Sequence, residues 1–469
     1  MSNILSKISH KKITDKYKHF VKNISSRLNK NEKTIIKGTG VGFFLIFLTN
    51  ISSFIILFMK TKLMTASDVG LFVLAKSIVV TMFMFTNGFY NSIFRYNTVF
   101  LGEGSNEKIK GVISVTYKYI IPFLIGTALI SILSAPYVAV NIFHNTRLAG
   151  FVQIIVISAL FSCISDINSG ILRSKLLPQY TYLFKVLEQF LIIPFVFILY
   201  KMGMKNFLLM FSLSFVFSSF LVFIYSLIRV RKEFSFIFDS SLKSIEHPKK
   251  IFAYSFFSQI TGLMLKFRTQ VNVFLMGFFL STKDIALYNV AFQLGMATTI
   301  LMDGLNTIFP TVSGVLYGQN KIDEIKRLHR KTAKILVIIS IFIFLGFIVA
   351  GKFVLGIFGD VYKSAYIPLL IIAFSFVLEA NTGSAGRIID MMGKPQYNSF
   401  NNLVALILTV GFCYLCIPRF GIIGSAVAFS LSNIVKRYLM LWQLLFLFNS
   451  DKKNRSKQKM SFDNDMVVP

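Results

Sequence analysis

The sequence predicts an all-α polytopic membrane protein with about twelve transmembrane helices in two six-helix bundles. Three observations support this: composition, the length of the apolar runs, and an internal repeat. Of 469 residues, 54% are hydrophobic and 15% charged, with 52 Phe, and the mean hydropathy is +0.66. Soluble chains carry about 25% charged residues. The three Cys offer no disulfide framework, which excludes a stapled secreted scaffold. A net charge of +30 in a soluble domain would point to nucleic acid, but here the basic residues fall between apolar runs, on alternate sides.

Crossing about 30 Å of hydrocarbon takes roughly 20 helical residues. Segments of that length have cores at Gly38 to Met59, Gly70 to Ser92, Val112 to Ser134, Leu148 to Gly170, Tyr180 to Met202 and Asn206 to Ile228. The second group is Ile251 to Leu280, Ile285 to Phe309, Ala333 to Gly351, Ser364 to Ala385, Asn398 to Ile417 and Gly421 to Leu444. The implied organisation is a basic tail (1–37), a first bundle (38–228), a connector (229–250), a second bundle (251–447) and a C-terminal tail (448–469). Connections on the side of both termini hold 34 Lys and Arg, and those on the other side 9. By the positive-inside rule both termini are expected in the cytoplasm.

The basic stretch of the first 37 residues is too long for a cleavable signal. Ile13, Tyr17, Phe20, Val21, Ile24 and Leu28 recur at helical spacing among Lys16, Lys18, Lys22 and Arg27. That pattern suits an amphipathic helix lying on the anionic inner leaflet, or a solvated tail. The connections on the outer side are short, which leaves no room for an extracytoplasmic catalytic domain.

The repeat has an offset of about 216 residues. Asp68-Val-Gly-Leu-Phe72 recurs as Asp284-Ile-Ala-Leu-Tyr288, Gly88 falls on Gly304, and Gly102, Glu107, Ile109 and Lys110 fall on Gly318, Asp323, Ile325 and Lys326. Pro178-Gln179-Tyr180 returns as Pro395-Gln396-Tyr397. Six spans separate the copies, an even number, so both halves insert the same way up about a pseudo-two-fold axis along the membrane normal. Such symmetry is the usual basis of alternating access, although a purely structural membrane scaffold is compatible with it.

The loop after the second span, Phe100-Leu-Gly-Glu-Gly-Ser-Asn-Glu-Lys-Ile-Lys110, departs from the Gly-x-x-x-Asp-Arg-x-Gly-Arg pattern of the major facilitator family. Other segments carry a different likeness: Thr65-Ala-Ser-Asp-Val-Gly-Leu-Phe72, Gly88 and Arg95, Tyr288 with Gly304 to Pro310, Gly393-Lys-Pro-Gln396, and Gly421-Ile-Ile-Gly-Ser-Ala-Val-Ala428. Through them the chain resembles the polysaccharide-transport branch of the multidrug/oligosaccharidyl-lipid/polysaccharide exporters. This resemblance implies a MATE-like fold and a flippase that moves O-antigen or capsule repeat units on undecaprenyl diphosphate from the cytoplasmic to the periplasmic leaflet. It also implies membrane lipids as partners, with the polysaccharide polymerase and chain-length machinery, and a proton or Na⁺ gradient as the driving force.

A lipid-linked diphosphate needs cations near the middle of a polar cleft. A central Lys or Arg costs roughly 2.5–3.5 kcal/mol on insertion scales, which makes it a functional candidate. Lys266 and Arg268 lie deep in the seventh span. Ser255, Gln259, Lys266 and Gln270 share a face at spacings of four, seven and four, while Arg268 and Asn272 lie about 200° away. Lys266 is therefore assigned to the lumen and Arg268 to a neighbouring helix or the cleft's edge; the competing reading is an interhelical salt bridge to a carboxylate. Asn50 occupies the repeat-equivalent position of Lys266. Lys76 suits the lumen or snorkelling to the outer face. Arg95 suits a diphosphate head group or a positive-inside anchor.

Lys436 and Arg437 read as interfacial anchors. Lys185 with Glu188, and Arg387 with Asp390, are spaced to neutralise one another. Asp166, Asp303 and Glu379 lack local partners and are candidates for ion coupling, for pairing with Lys266 or Arg268, or for the wet inner ends of their helices. Cys413 and Cys416 read as helix-packing residues, and the five His form no metal set. No nucleotide-cradling Gly loop or catalytic triad is legible, so no enzymatic activity, cofactor or direct ATP use is expected. A drug/cation antiporter of the same fold, which would need an anionic cleft, is the alternative function. A membrane glycosyl polymerase would need the large outer loop that is missing.

Overall fold

The computed structural model describes residues 30–238 and 248–465, apart from 176, 178, 300, 301, 303–308, 310, 311, 315, 318 and 320. The proposed N-terminal surface helix and Asp303 lie outside the described residues. Among those residues the chain is helical, with no strand. The first six spans are α1 (Lys30–Leu63), α2 (Ala66–Met82) continued by α3 (Asn87–Gly102), α4 (Asn106–Tyr137), α5 (Arg147–Ser174), α6 (Gln179–Lys201) and α7 (Phe207–Glu233). They are followed by α8 (Pro248–Phe279), α9 (Thr282–Gly295), α10 (Ile322–Phe358), α11 (Tyr366–Asn381) with the short α12 (Ala385–Met391), and α13 (Pro395–Asp465). Gly421, at φ 58° and ψ −131°, breaks α13 into the last two spans. A left-handed residue is needed at that turn, and glycine adopts it without a Cβ penalty.

Eight helices among the described residues are long and apolar enough to cross a membrane, and the protein is a multi-pass membrane protein. The predicted second, seventh and eighth spans fall short of that measure, each for a visible reason. The second is interrupted by the 3₁₀ turn Met84–Thr86. The seventh, α8, holds Lys266, Arg268, Gln270 and Asn272 within its apolar stretch, which lowers its hydropathy. The eighth is described as a helix only to Gly295, followed by the 3₁₀ turn Met296–Thr299. The interruption is itself repeated, 212 residues after Met84.

Side chains that meet lipid are apolar: Val349 is 88% exposed, Leu133 78% and Phe342 77%. Hydrocarbon provides no partner for polar groups, so hydroxyls inside the bundle bond backward along their own helices or across to a neighbour. Ser212, Ser226 and Thr116 donate to carbonyls three or four residues earlier. Tyr117 of α4 donates to Asn168 of α5, which in turn donates to Ser226 of α7 at 2.7 Å. Small residues along α5 and α7 permit this close approach.

The first six spans pack mainly on one another, as do the last six. The two groups meet where α2 lies against α9 and where α3 lies against α8. Thr65 and Ser281, at equivalent positions, cap α2 and α9: each hydroxyl accepts from the backbone N–H of the Asp three residues on. The repeated Asp68 and Asp284 are therefore helix-starting residues. At this seam Gly70 has no room for a Cβ, which would sit 1.6 Å from the Thr282 carbonyl oxygen, and the Ser67 and Thr282 hydroxyls are 2.7 Å apart.

Candidate functional site

A cavity of about 610 Å³ opens within the first bundle, roofed by α8 and α9 of the second. Its walls follow helical periodicity. From α1 come Thr49, Ser53, Ile56 and Lys60, at spacings of four, three and four; from α2 come Phe72, Lys76, Val79 and Phe83, at the same spacings. Ser158, Ser162 and Asp166 of α5 add a polar stripe, α6 adds Lys185, Glu188 and Gln189, and α8 adds Lys266. From Thr49 to Lys60 the α1 wall rises about 16 Å at 1.5 Å per residue.

Four lysines and two carboxylates line this space, an excess of positive charge. Lys60 is 7% exposed, with its ammonium 4.9 Å from the Phe72 ring centroid. The Lys76 ammonium stands 4.9 Å from that of Phe215, and both contacts place a cation over a ring face. Glu188 accepts from the Ser162 hydroxyl at 2.6 Å, and Gln189 accepts from Ser52 at 2.5 Å and Ser53 at 3.2 Å. The lysines are thus held on rigid helices by apolar and aromatic neighbours. Among the described residues, no carboxylate lies within ion-pair distance of Lys60, Lys76, Lys185 or Lys266.

The structure brings together Lys266, Lys76, Asn50 and Asp166 on this cavity, and it separates the others. Gln259 donates to the Met84 carbonyl at 2.6 Å, tying α8 to the 3₁₀ turn that interrupts the second span. Gln270 accepts from Ser77 of α2 at 2.7 Å, and Ser255 meets Ser92 of α3 at 2.6 Å. The polar stripe of α8 is therefore largely a clasp between bundles, with Lys266 facing the cavity. Arg95 is exposed on α3, away from the cavity lining.

Arg268 is buried in the second bundle, 5.9 Å from the Phe429 ring centroid. Its neighbourhood holds Glu379, which accepts from Asn433 at 2.6 Å and from Arg437. Glu379 is therefore paired with Arg437 and not with Lys266 or Arg268. Lys436 and Arg437 are not interfacial anchors: Lys436 is 5% exposed and Arg437 is held by Glu379, because the register of the last span turns both toward α11. Nor do the two local charge pairs form. Asp390 accepts from Asn398 at 2.6 Å instead of pairing with Arg387, and Glu188 takes its bond from Ser162.

Sequence reasoning missed Lys60, three residues from the end of α1, and read Lys185 and Glu188 as a self-contained pair. The signal for Lys60 lay in the stripe Thr49, Ser53, Ile56, Lys60, which continues a polar face to the cation. No group of three or more His, Cys, Asp or Glu that could hold a metal occurs among the described residues.

Two helical bundles around a polar cavity define a membrane-transporter fold. The family model described as polysaccharide biosynthesis protein matches residues 35–315, more than half of the chain, and the chain belongs to that family. A MatE model matches residues 260–415. The chain is 26% identical over 204 residues to the probable low-salt glycan biosynthesis flippase Agl15 of Haloferax volcanii, a match that covers 43% of this chain and 43% of that protein. The chain thus matches less than half the length of this curated relative. Among solved structures, an inward-facing multidrug resistance MATE family transporter superposes with a TM-score of 0.71 at 12% identity, covering 88% of this chain and 96% of that one. The lipid II flippase MurJ, in an inward closed conformation, superposes with a TM-score of 0.69 at 15% identity and 87% coverage of each chain. At these identities the superpositions establish the fold.

Proposed function

We propose that the protein is a flippase for lipid-linked glycans, with the anionic head group of the cargo seated against Lys76 and Lys266 while the lipid tail stays in the bilayer. The observation that carries this reading is the lysine-rich cavity of about 610 Å³, because cations at that depth are costly unless an anion uses them. The flippase names of relatives such as Agl15, and membership of a polysaccharide biosynthesis family, support the same reading. In its finer form, the cargo is an O-antigen or capsule-type repeat unit on undecaprenyl diphosphate. It moves from the cytoplasmic to the periplasmic leaflet by alternating access of the two bundles, and both termini face the cytoplasm, in keeping with the excess of Lys and Arg on that side. Asp166, which lines the same cavity, is the coupling carboxylate in this reading, with a proton or Na⁺ gradient as the driving force.

Removing the protein from its host tests this. Lipid-linked glycan should accumulate on the cytoplasmic leaflet and surface glycan should disappear, with both restored by the wild-type chain. Unchanged surface glycan, together with new sensitivity to organic cations, would instead support the antiporter reading.

A further inference from the structure

A second pocket, of about 500 Å³, lies in the second bundle between the N-terminal part of α10 and the stretch Leu441–Asn449 of α13. Lys326, His329, Arg330 and Lys334 line it from α10, and Leu445 and Phe448 close it from α13. No carboxylate is among its lining residues. Lys326 is engaged on one side, 5.3 Å from the Phe448 ring centroid and 4.0 Å from Asp323. Arg330 and Lys334 are exposed and, among the described residues, have no ion-pair partner. His329 is 5% exposed, and its Nδ1 is buried without a hydrogen-bond partner. One turn deeper along the same helix face the wall becomes apolar and lipid-exposed, with Ile338 at 53% and Leu445 at 47%.

The geometry points to a binding site for an anionic glycerophospholipid, which we propose is held by its phosphate between Arg330 and Lys334 with an acyl chain lying along Ile338 and Leu445. Charge complementarity identifies the head group: three cations and an unpaired imidazole converge where the membrane surface supplies phosphates. The sequence of cations followed by apolar side chains down the helix matches a phosphate at the interface with its chain below, and a free anion would have no use for the apolar half. The site is separate from the cavity that receives the cargo, so lipid occupancy can be tested independently of transport.

The test is native mass spectrometry on the full-length protein, purified and titrated with dioleoyl phosphatidylglycerol or dioleoyl phosphatidylcholine. The wild type should retain phosphatidylglycerol preferentially. Arg330→Gln with Lys334→Gln should weaken that retention roughly 30-fold, at about fivefold per cation. Both side chains are exposed, so folding should survive, and His329→Leu should weaken retention without changing the charge. Arg327→Gln with Lys331→Gln removes the same charge from the same helix outside the pocket and should leave retention unchanged. Four results would overturn the proposal: equal loss in both double variants, no loss in either, displacement by inorganic phosphate at the lipid's own concentration, or preferential displacement by undecaprenyl phosphate. Lys76→Ala with Lys266→Ala should retain phosphatidylglycerol as the wild type does, even if the flippase reading fails.

Discussion

Lys266, near the middle of α8, and Glu379, in the last turn of α11, are both span charges and carry opposite consequences. Lys266 faces a cavity and has no carboxylate at ion-pair distance among the described residues, so its charge is available to a ligand. Replacing it with Ala should leave membrane insertion and thermal stability near wild type while lowering flipping of a lipid-linked glycan by tenfold or more, on the order of 1.4 kcal/mol or above; Lys76→Ala should act in the same direction. Glu379 is buried against Arg437 and Asn433. Its replacement by Gln leaves the half-buried Arg437 guanidinium without its carboxylate and should destabilise the protein by about 1.5–3 kcal/mol. Glu379→Gln combined with Arg437→Gln should recover much of that loss. Thermal unfolding of the single and double variants, followed in detergent, decides the point: a stable single variant with altered ion dependence would restore Glu379 as a coupling group.

Lys266 was legible in the sequence as deep, and it could be assigned a direction because its stripe includes Ser255, Gln259 and Gln270; Glu379 was legible only as an acid without a local partner. The partner of Glu379 could not be read. Arg437 lies 58 residues away, and only the packing of the last span on α11 decides which cation turns inward. The same applies to Lys60: a cation near a helix end reads as a snorkelling residue until the neighbouring Phe72 and the cavity are in place.

At the level of elements, the seam between bundles depends on two helix starts and one helix break. The starts were visible as the repeated Asp68 and Asp284, although their work as capping partners of Thr65 and Ser281 emerged only with the backbone. The break at Met84–Thr86 has no proline to announce it, so a continuous span was the natural reading; its repetition at Met296–Thr299 ties it to the fold. Gln259→Leu should remove the bond between α8 and the Met84 turn and cost about 0.5–1.5 kcal/mol, measurable as a lowered unfolding midpoint. Cysteines placed at Ser67 and Thr282, whose hydroxyls are 2.7 Å apart, should cross-link on mild oxidation and arrest transport until reduced. A cross-linked protein that transports normally would show that this seam does not open during the cycle. Gly70→Ala should disrupt the same contact through its clash with the Thr282 carbonyl.

Across the whole molecule, the parallel repeat produces two bundles of one design that have diverged in their interiors. In the first, Lys60, Lys76, Lys185 and Asp166 surround open space. In the second, Arg268, Glu379 and Lys436 are buried, and Glu379 pairs with the half-buried Arg437. The repeat and the number of spans were readable from hydropathy and spacing, since both depend on short-range periodicity. Which bundle holds the cavity was not, because that depends on side-chain pairing between helices distant in sequence. The cationic excess lies where a head group drawn from the membrane would meet both bundles at once, since Lys266 reaches the cavity from the second bundle and Lys76 from the first. An antiporter of organic cations would find the opposite field there.

The most direct measurement is leaflet exchange in proteoliposomes that contain the purified protein, a fluorescent polyprenyl diphosphate-linked oligosaccharide and, in parallel, a lipophilic organic cation. Wild-type protein should move the glycan lipid and leave the cation gradient untouched, and Lys76→Ala with Lys266→Ala should reduce glycan movement at least tenfold with the protein still folded. Cation movement without glycan movement, or an undiminished rate in the double variant, would contradict an anion-carrying cavity.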